Sequence, residues 1–345
     1  MHMALAQYPW QEAQAKTLLE LKEALPNALL LYGPRGIGTF DLAHAFSQSL
    51  LCETPKQDAS ACGMCRACRL FKAFTHPDMR YLVSEAEALP RDIPFVPPEN
   101  SVAARKNLYR EILIHQTRAL TDFLTLKSHE GGRRVVLVYP ADKIRAEAAA
   151  SLLKSIEEPP EGLVFILVAD EIDRVLPTIR SRCRLIRATP PTGSEALDWL
   201  RSQNVKDPER ALEAAGGMPL SVFEVDARLI LSSEEEERLI GLLLRGKNAD
   251  ADTVCSLLGR EPALPAYAAL LARWAWDLAS VRQGGTARYF PEKGEDIKKL
   301  TVKTDPAKLY LWINSVRDVK RVSSHPLNSR MTLEALLLAY ARALS

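Results

Sequence analysis

The sequence predicts a doubly wound α/β domain on a P-loop-type parallel sheet, followed by a region built only of helices. Three observations predict it. An apolar strand runs into a glycine-rich turn and then an amphipathic helix between Ala28 and Cys52, the strand–turn–helix order that a phosphate loop needs. Further apolar strands then alternate with helical stretches over about 190 residues, as in doubly wound sheets. From about Ser233 onward Leu and Ala recur at helical spacing with little β-branched content.

Each element follows from its residues. Ala28 to Tyr32 is the first strand, and Met79 to Val83 is a second, short one after His76-Pro77-Asp78. The proline-rich stretch from Glu85 to Arg105 reads as a loop, and a helix pattern runs from Tyr109 to about Leu126. Arg133 to Tyr139 is apolar on both faces, as in a covered parallel sheet. A helix from Ala146 to Glu157 stops at Glu158-Pro159-Pro160, and Leu163 to Ala169 is the next strand. Ile179 to Arg187 carries an Arg-Ser-Arg-Cys turn and then a strand. Ser194 to Ala215 reads as two short helices closed by Gly216-Gly217, with another starting near Pro219. Breaks are expected at Asp305-Pro306 and His325-Pro326. The domain reading is therefore 1–190 for the α/β part with a cysteine module at 52–68, 191–230 for a small helical lid, and 231–345 for an all-α C-terminal domain.

Composition narrows the function. The 345 residues are 47% hydrophobic and 26% charged, with 45 Lys+Arg against 43 Asp+Glu and a formal charge of +2, so nothing argues for a chain that coats nucleic acid by itself. No apolar run approaches the roughly 18 residues of a membrane span, and the N-terminus does not read as a secretory signal. A cytoplasmic protein with no membrane partner is expected. The six cysteines suit that compartment, because four of them cluster at metal-like spacing.

The phosphate loop departs from its own pattern. Gly33, Gly36 and Gly38 match G-x-x-x-x-G, and their backbone can still wrap an anion. Thr39, however, stands where a lysine should reach the terminal phosphates, and Phe40 where a hydroxyl should hold magnesium. Arg35 lies on the opposite limb of the loop and cannot replace the lysine. The strand from Val135 ends in Tyr139-Pro140 rather than an acidic pair, and the nearest acid is Asp142. Two independent requirements for hydrolysis fail together, so no catalysis by this chain alone is expected. A plain glycine turn with no nucleotide history is the competing reading.

Cys52, Cys62, Cys65 and Cys68 offer four thiolates at the spacing C-x₉-C-x₂-C-x₂-C. Four thiolates suit tetrahedral Zn²⁺ in a closed, structural site, with an iron–sulfur cluster as the alternative. His76 and Asp78 read as loop residues, and Cys183 and Cys255 as buried or half-buried thiols. Arg182, in the Arg180-Ser181-Arg182-Cys183 turn, reads either as an arginine offered to a neighbour's γ-phosphate or as a surface arginine in a local ion pair. Trp274 and Trp276 are candidate interface anchors, with core packing at least as good an account.

Taken in order, Leu30–Gly38 (LLYGPRGIG), the four-cysteine insertion, His76-Pro77-Asp78, Ala148–Pro160 (AAASLLKSIEEPP), Thr178–Leu185 (TIRSRCRL) and Ala215–Pro219 (AGGMP) make the first 220 residues resemble the δ′ family of bacterial DNA polymerase III clamp-loader subunits, within the AAA+ group. The resemblance implies an α/β AAA+ core, a helical lid and a C-terminal collar. It further implies membership of a heteropentamer with δ and ATP-hydrolysing γ or τ subunits, which places a sliding clamp on primer–template DNA. In such an assembly this chain would be a stator, and Arg182 would complete a neighbour's ATP site. Thr39, the Tyr139-Pro140 pair and the absence of an arginine in Gly217–Leu220 favour that reading over an ATP-hydrolysing motor subunit. Residual nucleotide binding stays open. A zinc-containing DNA-binding module is the reading from a different class.

Overall fold

The structure is a computed structural model that describes residues 5–97, 108–125, 132–224, 231–259, 262–302, 304–323 and 328–344. The chain divides into two compact units, Met1–Val222 and Phe223–Ser345.

The first unit is built on a five-stranded, all-parallel sheet. In chain order its elements are α1 (Glu12–Glu20), β1 (Ala28–Tyr32), α2 (Thr39–Leu51), α3 (Arg66–Lys72), β2 (Met79–Val83), α4 (Glu85–Ala88), α5 (Ile114–Arg118), α6 (Thr121–Thr125), β3 (Arg134–Tyr139), α7 (Ala146–Glu157), β4 (Leu163–Ala169), α8 (Pro177–Arg180) and β5 (Arg184–Arg187). The strands lie in the order β2-β3-β4-β1-β5. β1 is therefore an interior strand, flanked by β4 with Leu30 beside Leu167 and by β5 with Leu30 beside Leu185.

The apolar-on-both-faces pattern of these strands has a direct structural counterpart. Successive side chains of a strand point to opposite faces, so β1, β3 and β4 feed two separate cores. Leu29, Leu31, Val135, Leu137, Ile166 and Val168 pack with Ala43 and Phe46 of α2 on one face. Leu30, Val136, Val138, Phe165 and Leu167 pack with Ala149, Leu152 and Ile156 of α7 on the other. Helices on both faces are what a parallel sheet requires. Ligands in such sheets sit beyond the carboxyl ends of the strands, and the Gly33–Gly38 loop leaves β1 at that end.

Two expectations for 85–126 need correction. The stretch expected to be a loop opens with α4 and a 3₁₀ turn, Leu89–Arg91, and its part from 98 to 105 lies outside the described residues. The single helix expected from Tyr109 is two short ones, α5 and α6, and Leu126 also lies outside. Residues 109–113 are drawn into an extended bridge instead. The Ile112 amide donates to the Lys143 carbonyl (3.0 Å) and the Ile112 carbonyl accepts from Arg145 (3.1 Å).

After the sheet, α9 (Gly193–Ser202) and α10 (Pro208–Ala214) form the expected helix pair, and α11 (Ser221–Glu224) follows. Thr192 caps α9 through a reciprocal box with Glu195, which satisfies orphan amides of the first turn.

Among the described residues the elements of the second unit are all helices: α12 (Ser233–Arg245), α13 (Ala251–Leu257), α14 (Leu264–Arg282), α15 (Gly294–Val302), α16 (Pro306–Val322) and α17 (Ser329–Ala343). Ser232, Asp250, Asp305 and Asn328 cap four of them with side-chain oxygens. The break expected at Asp305-Pro306 is thus the start of a helix, while His325-Pro326 lies outside the described residues. Trp274 is fully buried and donates to the Tyr340 hydroxyl (3.1 Å), which donates to the Leu243 carbonyl (2.8 Å). Trp274 is therefore a core residue, whereas Trp276 is 45% exposed. Buried Asp277 accepts from the amides of Arg288, Tyr289 and Phe290, so its charge is met by backbone donors. No helix among the described residues is long and apolar enough to cross a membrane.

Candidate functional site

The Gly33–Gly38 loop joins β1 to α2 through left-handed glycines. Gly36 and Gly38 take φ of +87° and +79°, a region closed to most other residues, and Gly38 is the N-cap of α2. Its surroundings are filled by protein. Trp10 Nε1 donates to the Ile37 carbonyl (2.8 Å), and Gln11 Nε2 to those of Ile37 (3.1 Å) and Gly38 (2.7 Å). Tyr8 stacks on Trp10, and both meet the edge of Trp199 on α9. From the other side the Leu220 amide donates to the Gly36 carbonyl (3.0 Å). A methyl group on Gly36 would lie 2.2 Å from Ser221 Oγ, and one on Gly38 2.3 Å from the Tyr8 ring. The loop is wedged between residues 8–11 and 218–221.

The lysine and magnesium positions are equally closed. Thr39 is buried and its hydroxyl finds no partner. Phe40 is 8% exposed and packs 5.1 Å from the Tyr139 ring. The Arg91 guanidinium lies 5.0 Å from the Phe40 ring and 5.6 Å from that of Tyr139. Arg35 is committed elsewhere: its Nη1 reaches Glu87 Oε1 at 2.5 Å, and Arg91 Nη1 reaches Glu87 Oε2 at 2.8 Å. Burial opposes the charge on Glu87, but Arg35 and then Arg91 outweigh it and hold the carboxyl below its usual range.

At the end of β3, Tyr139 donates to Asp170 (3.3 Å), and the Asp170 amide donates to Asp142 Oδ1 (3.0 Å). Burial, reinforced by the Asp142 charge, pushes the Asp170 carboxyl up to about 6. Tyr139 and Pro140 are joined by a cis peptide bond. The acids at this end of the sheet, Glu87, Asp142 and Asp170, thus serve an internal polar network rather than an open cation site. Sequence reasoning singled out only Asp142. Glu87, Arg91 and Asp170 carry no motif, and their roles come from the strand order that brings them together.

Cys52, Cys62, Cys65 and Cys68 do converge. Their Sγ atoms all lie within 4.8 Å of one another, and the group can hold a metal ion. Cys52 ends α2, Cys65 is the N-cap of α3 and Cys68 lies in its first turn, so the two helices set the frame. The pairs Cys52–Cys65 and Cys62–Cys68 are each 3.9 Å apart, close to the about 3.8 Å edge of a tetrahedron with metal–sulfur bonds near 2.3 Å. Amides of Cys62, Met64, Cys65 and Cys68 point at sulfurs at 3.2–3.4 Å, which favours thiolates, while burial pushes the Cys52 and Cys68 thiols up. The Thr54 hydroxyl, with the Met64 and Cys65 amides, lowers the Cys62 thiol to about 5. His76 and Asp78 are buried outside this group, as expected of residues that are not ligands. Cys183 is half-buried, but Cys255 is exposed, which corrects its assignment to the interior.

Arg182 follows α8 at the start of β5. Its Nε and Nη2 meet Glu157 at the end of α7, and Nη1 donates to the Thr178 carbonyl (2.7 Å). Beside it opens a cavity of about 500 Å³ lined by residues 26–28, Ile156, Glu157, Arg182 and Arg184.

These features define a doubly wound α/β protein whose Gly33–Gly38 loop is packed by its own chain and which carries a four-cysteine module. More particularly, the chain belongs to the family described as DNA polymerase III, delta subunit, whose model matches residues 11–192. It is 38% identical over 218 residues to DNA polymerase III subunit delta′ of Pseudomonas aeruginosa, covering 62% of this chain and 60% of that one. With the Escherichia coli protein of the same name the identity is 34% over 228 residues, covering 64% and 61%. The matched region thus spans about three fifths of the length of these relatives. Among solved structures, a DNA polymerase III gamma subunit-related protein of Thermotoga maritima aligns over 96% of this chain and all of that one, at 18% identity and a TM-score of 0.39.

Proposed function

We propose that the chain is the non-hydrolysing δ′ stator of a bacterial clamp loader. The observation that carries the reading is the filled phosphate loop: Thr39 and Phe40 stand at the lysine and magnesium positions, and Tyr8, Trp10, Gln11 and Ser221 occupy the space around the glycines. A motor subunit needs a lysine on the phosphates, a hydroxyl on Mg²⁺ and an acid for water or metal. Here the nearest cations, Arg35 and Arg91, are spent on Glu87. Gly33, Gly36, Gly38 and Thr39 are then the remains of a nucleotide loop, and Tyr139-Pro140 those of its acidic strand end.

On this reading the partners are δ and γ or τ subunits in a cytoplasmic heteropentamer, acting on a sliding clamp and primer–template DNA. The α/β core covers 1–190, the lid 191–230 and the collar 231–345. Cys52, Cys62, Cys65 and Cys68 would hold a structural Zn²⁺. A single ion accounts for four sulfurs drawn so close, whereas an iron–sulfur cluster would spread them wider. The metal would tie the end of α2 to the start of α3 and take no part in turnover. Arg182 would be the group given in trans, placing positive charge on a neighbour's γ-phosphate as the transition state forms.

The test is steady-state ATP turnover by an assembly reconstituted with δ and γ/τ subunits, clamp and primed DNA. Arg182→Ala, checked for equal assembly, is expected to lower turnover at least about tenfold. Unchanged turnover would leave this chain a scaffold without a part in hydrolysis.

A further inference from the structure

We infer that Glu157 is the positioning residue for Arg182, which rests on reading Arg182 as the arginine given to a neighbouring subunit's nucleotide. The two residues are 25 apart in sequence and come from different elements, the end of α7 and the turn after α8. Glu157 takes Nε and Nη2 of the guanidinium, while the Thr178 carbonyl takes Nη1 from the other side at 2.7 Å. A longer contact of 3.4 Å joins Nη1 to Ser181 Oγ. Arginine has five N–H donors in a rigid plane. With Nε and one N–H of each terminal nitrogen held, the second N–H of Nη2 and the weakly engaged one of Nη1 remain for a phosphate oxygen.

The setting supports this division of labour. The Arg182 side chain keeps 33% of its surface exposed, so it is held without being sealed in. The cavity beside it also contains Arg184, which has no ion pair among the described residues. Two arginines face one carboxylate there, which leaves net positive charge for a phosphate. A free arginine side chain carries a large rotamer entropy. Holding it beforehand removes that cost from the transition state, and a displacement of about 1 Å in such a group can lower a rate on the order of 100-fold. Glu157 weakens the field of Arg182 and in return sets its direction.

The experiment measures kcat and KM for ATP in the reconstituted assembly with clamp and primed DNA. It uses Glu157→Ala, Glu157→Gln, Arg182→Ala and the double variant Glu157→Ala/Arg182→Ala, each checked for melting temperature and assembly. Glu157→Ala is expected to lower kcat at least about fivefold with KM changed less than about twofold. Glu157→Gln, which keeps an acceptor oxygen, should recover most of the loss, and it decides the matter if the alanine variant fails to assemble. The double variant should be no slower than Arg182→Ala alone. Normal turnover by Glu157→Ala beside a slow Arg182→Ala overturns the positioning role and leaves the trans arginine standing. Faster turnover or a lower KM overturns it too, because Glu157 would then restrain Arg182. A further loss on the Arg182→Ala background would show Glu157 acting elsewhere. If Arg182→Ala itself is silent, the proposed function falls and takes this inference with it.

Discussion

Installing phosphate-loop residues, Thr39→Lys with Phe40→Ser, should yield a less stable protein that still does not bind ATP. Phe40 is 8% exposed and packs at a tilt against Tyr139, with Arg91 over its ring. Truncating a buried phenylalanine costs about 3–5 kcal/mol, a figure that already includes the aromatic and cation–π contacts, each worth about 0.5–1.5 kcal/mol. The lysine makes matters worse. Thr39 is 5% exposed and its hydroxyl already lacks a partner, so an ammonium there must break out to water or be neutralised. Nor would the loop be free to rearrange around a nucleotide, because Gln11, Trp10 and Leu220 hold its carbonyls and Tyr8 and Ser221 abut Gly38 and Gly36. Urea unfolding should show a loss of at least about 3 kcal/mol, and fluorescent ATP titrated to millimolar concentration should stay free. Tight, micromolar binding with unchanged stability would refute the reasoning, since it would mean that the packing around the loop opens at little cost.

Two further predictions concern groups away from the loop. Asp170 is a carboxyl raised by burial from an ordinary 3.8 to about 6, so it binds its proton more tightly folded than unfolded. Its contribution favours the fold at low pH and is lost as pH rises from about 4 to 6, a swing of about 3 kcal/mol. Asp170→Asn should therefore stabilise the chain by about 1–3 kcal/mol at pH 8 and hardly at all at pH 4. Equal effects at both pH values would contradict the raised carboxyl. Purified protein should carry one zinc per chain by elemental analysis, and Cys65→Ser should weaken its retention at least about 100-fold and open 53–64 to protease. Iron, with visible absorbance, would displace zinc from the reading.

The sheet was legible because burial on two faces leaves a plain mark. All of Arg134–Tyr139 and Leu163–Ala169 is buried, and each run is apolar after its first residue or throughout. The cysteine module was legible for a similar reason, since ligands on one turn must be close in sequence. The helix expected from Tyr109 failed because propensity is local and the outcome was not. Ile112 bridges to Ile144, and the Gln116 side chain is drawn to the Val83 carbonyl (2.8 Å) while capping Leu113. A tertiary partner decided the conformation of 109–113 against a helical pattern.

The same distinction separates what could be read of the site from what could not. The absence of a lysine and of an acidic pair is written at Thr39 and Tyr139, and it says only which chemistry is missing. What replaced it is written at positions far apart: Glu87 meets Arg35 across 52 residues, Tyr139 meets Asp170 across 31, and Trp10 meets Ile37 across 27. Those pairings make the site a packed core rather than an idle pocket, because the carboxylate of Glu87, the Tyr139 hydroxyl and the Trp10 N–H are each answered by a neighbour, with the Thr39 hydroxyl left over. A phosphate loop that had merely lost its lysine would need only that residue back. One whose carbonyls, glycine faces and nearest arginines are all engaged is held shut by several independent contacts, so single reversions should leave it closed. That argues for a loop whose present use is structural: it fastens residues 8–11 and 218–221 to the end of β1, while Arg182, the arginine proposed to meet a neighbour's phosphate, lies at the opposite end of the sheet.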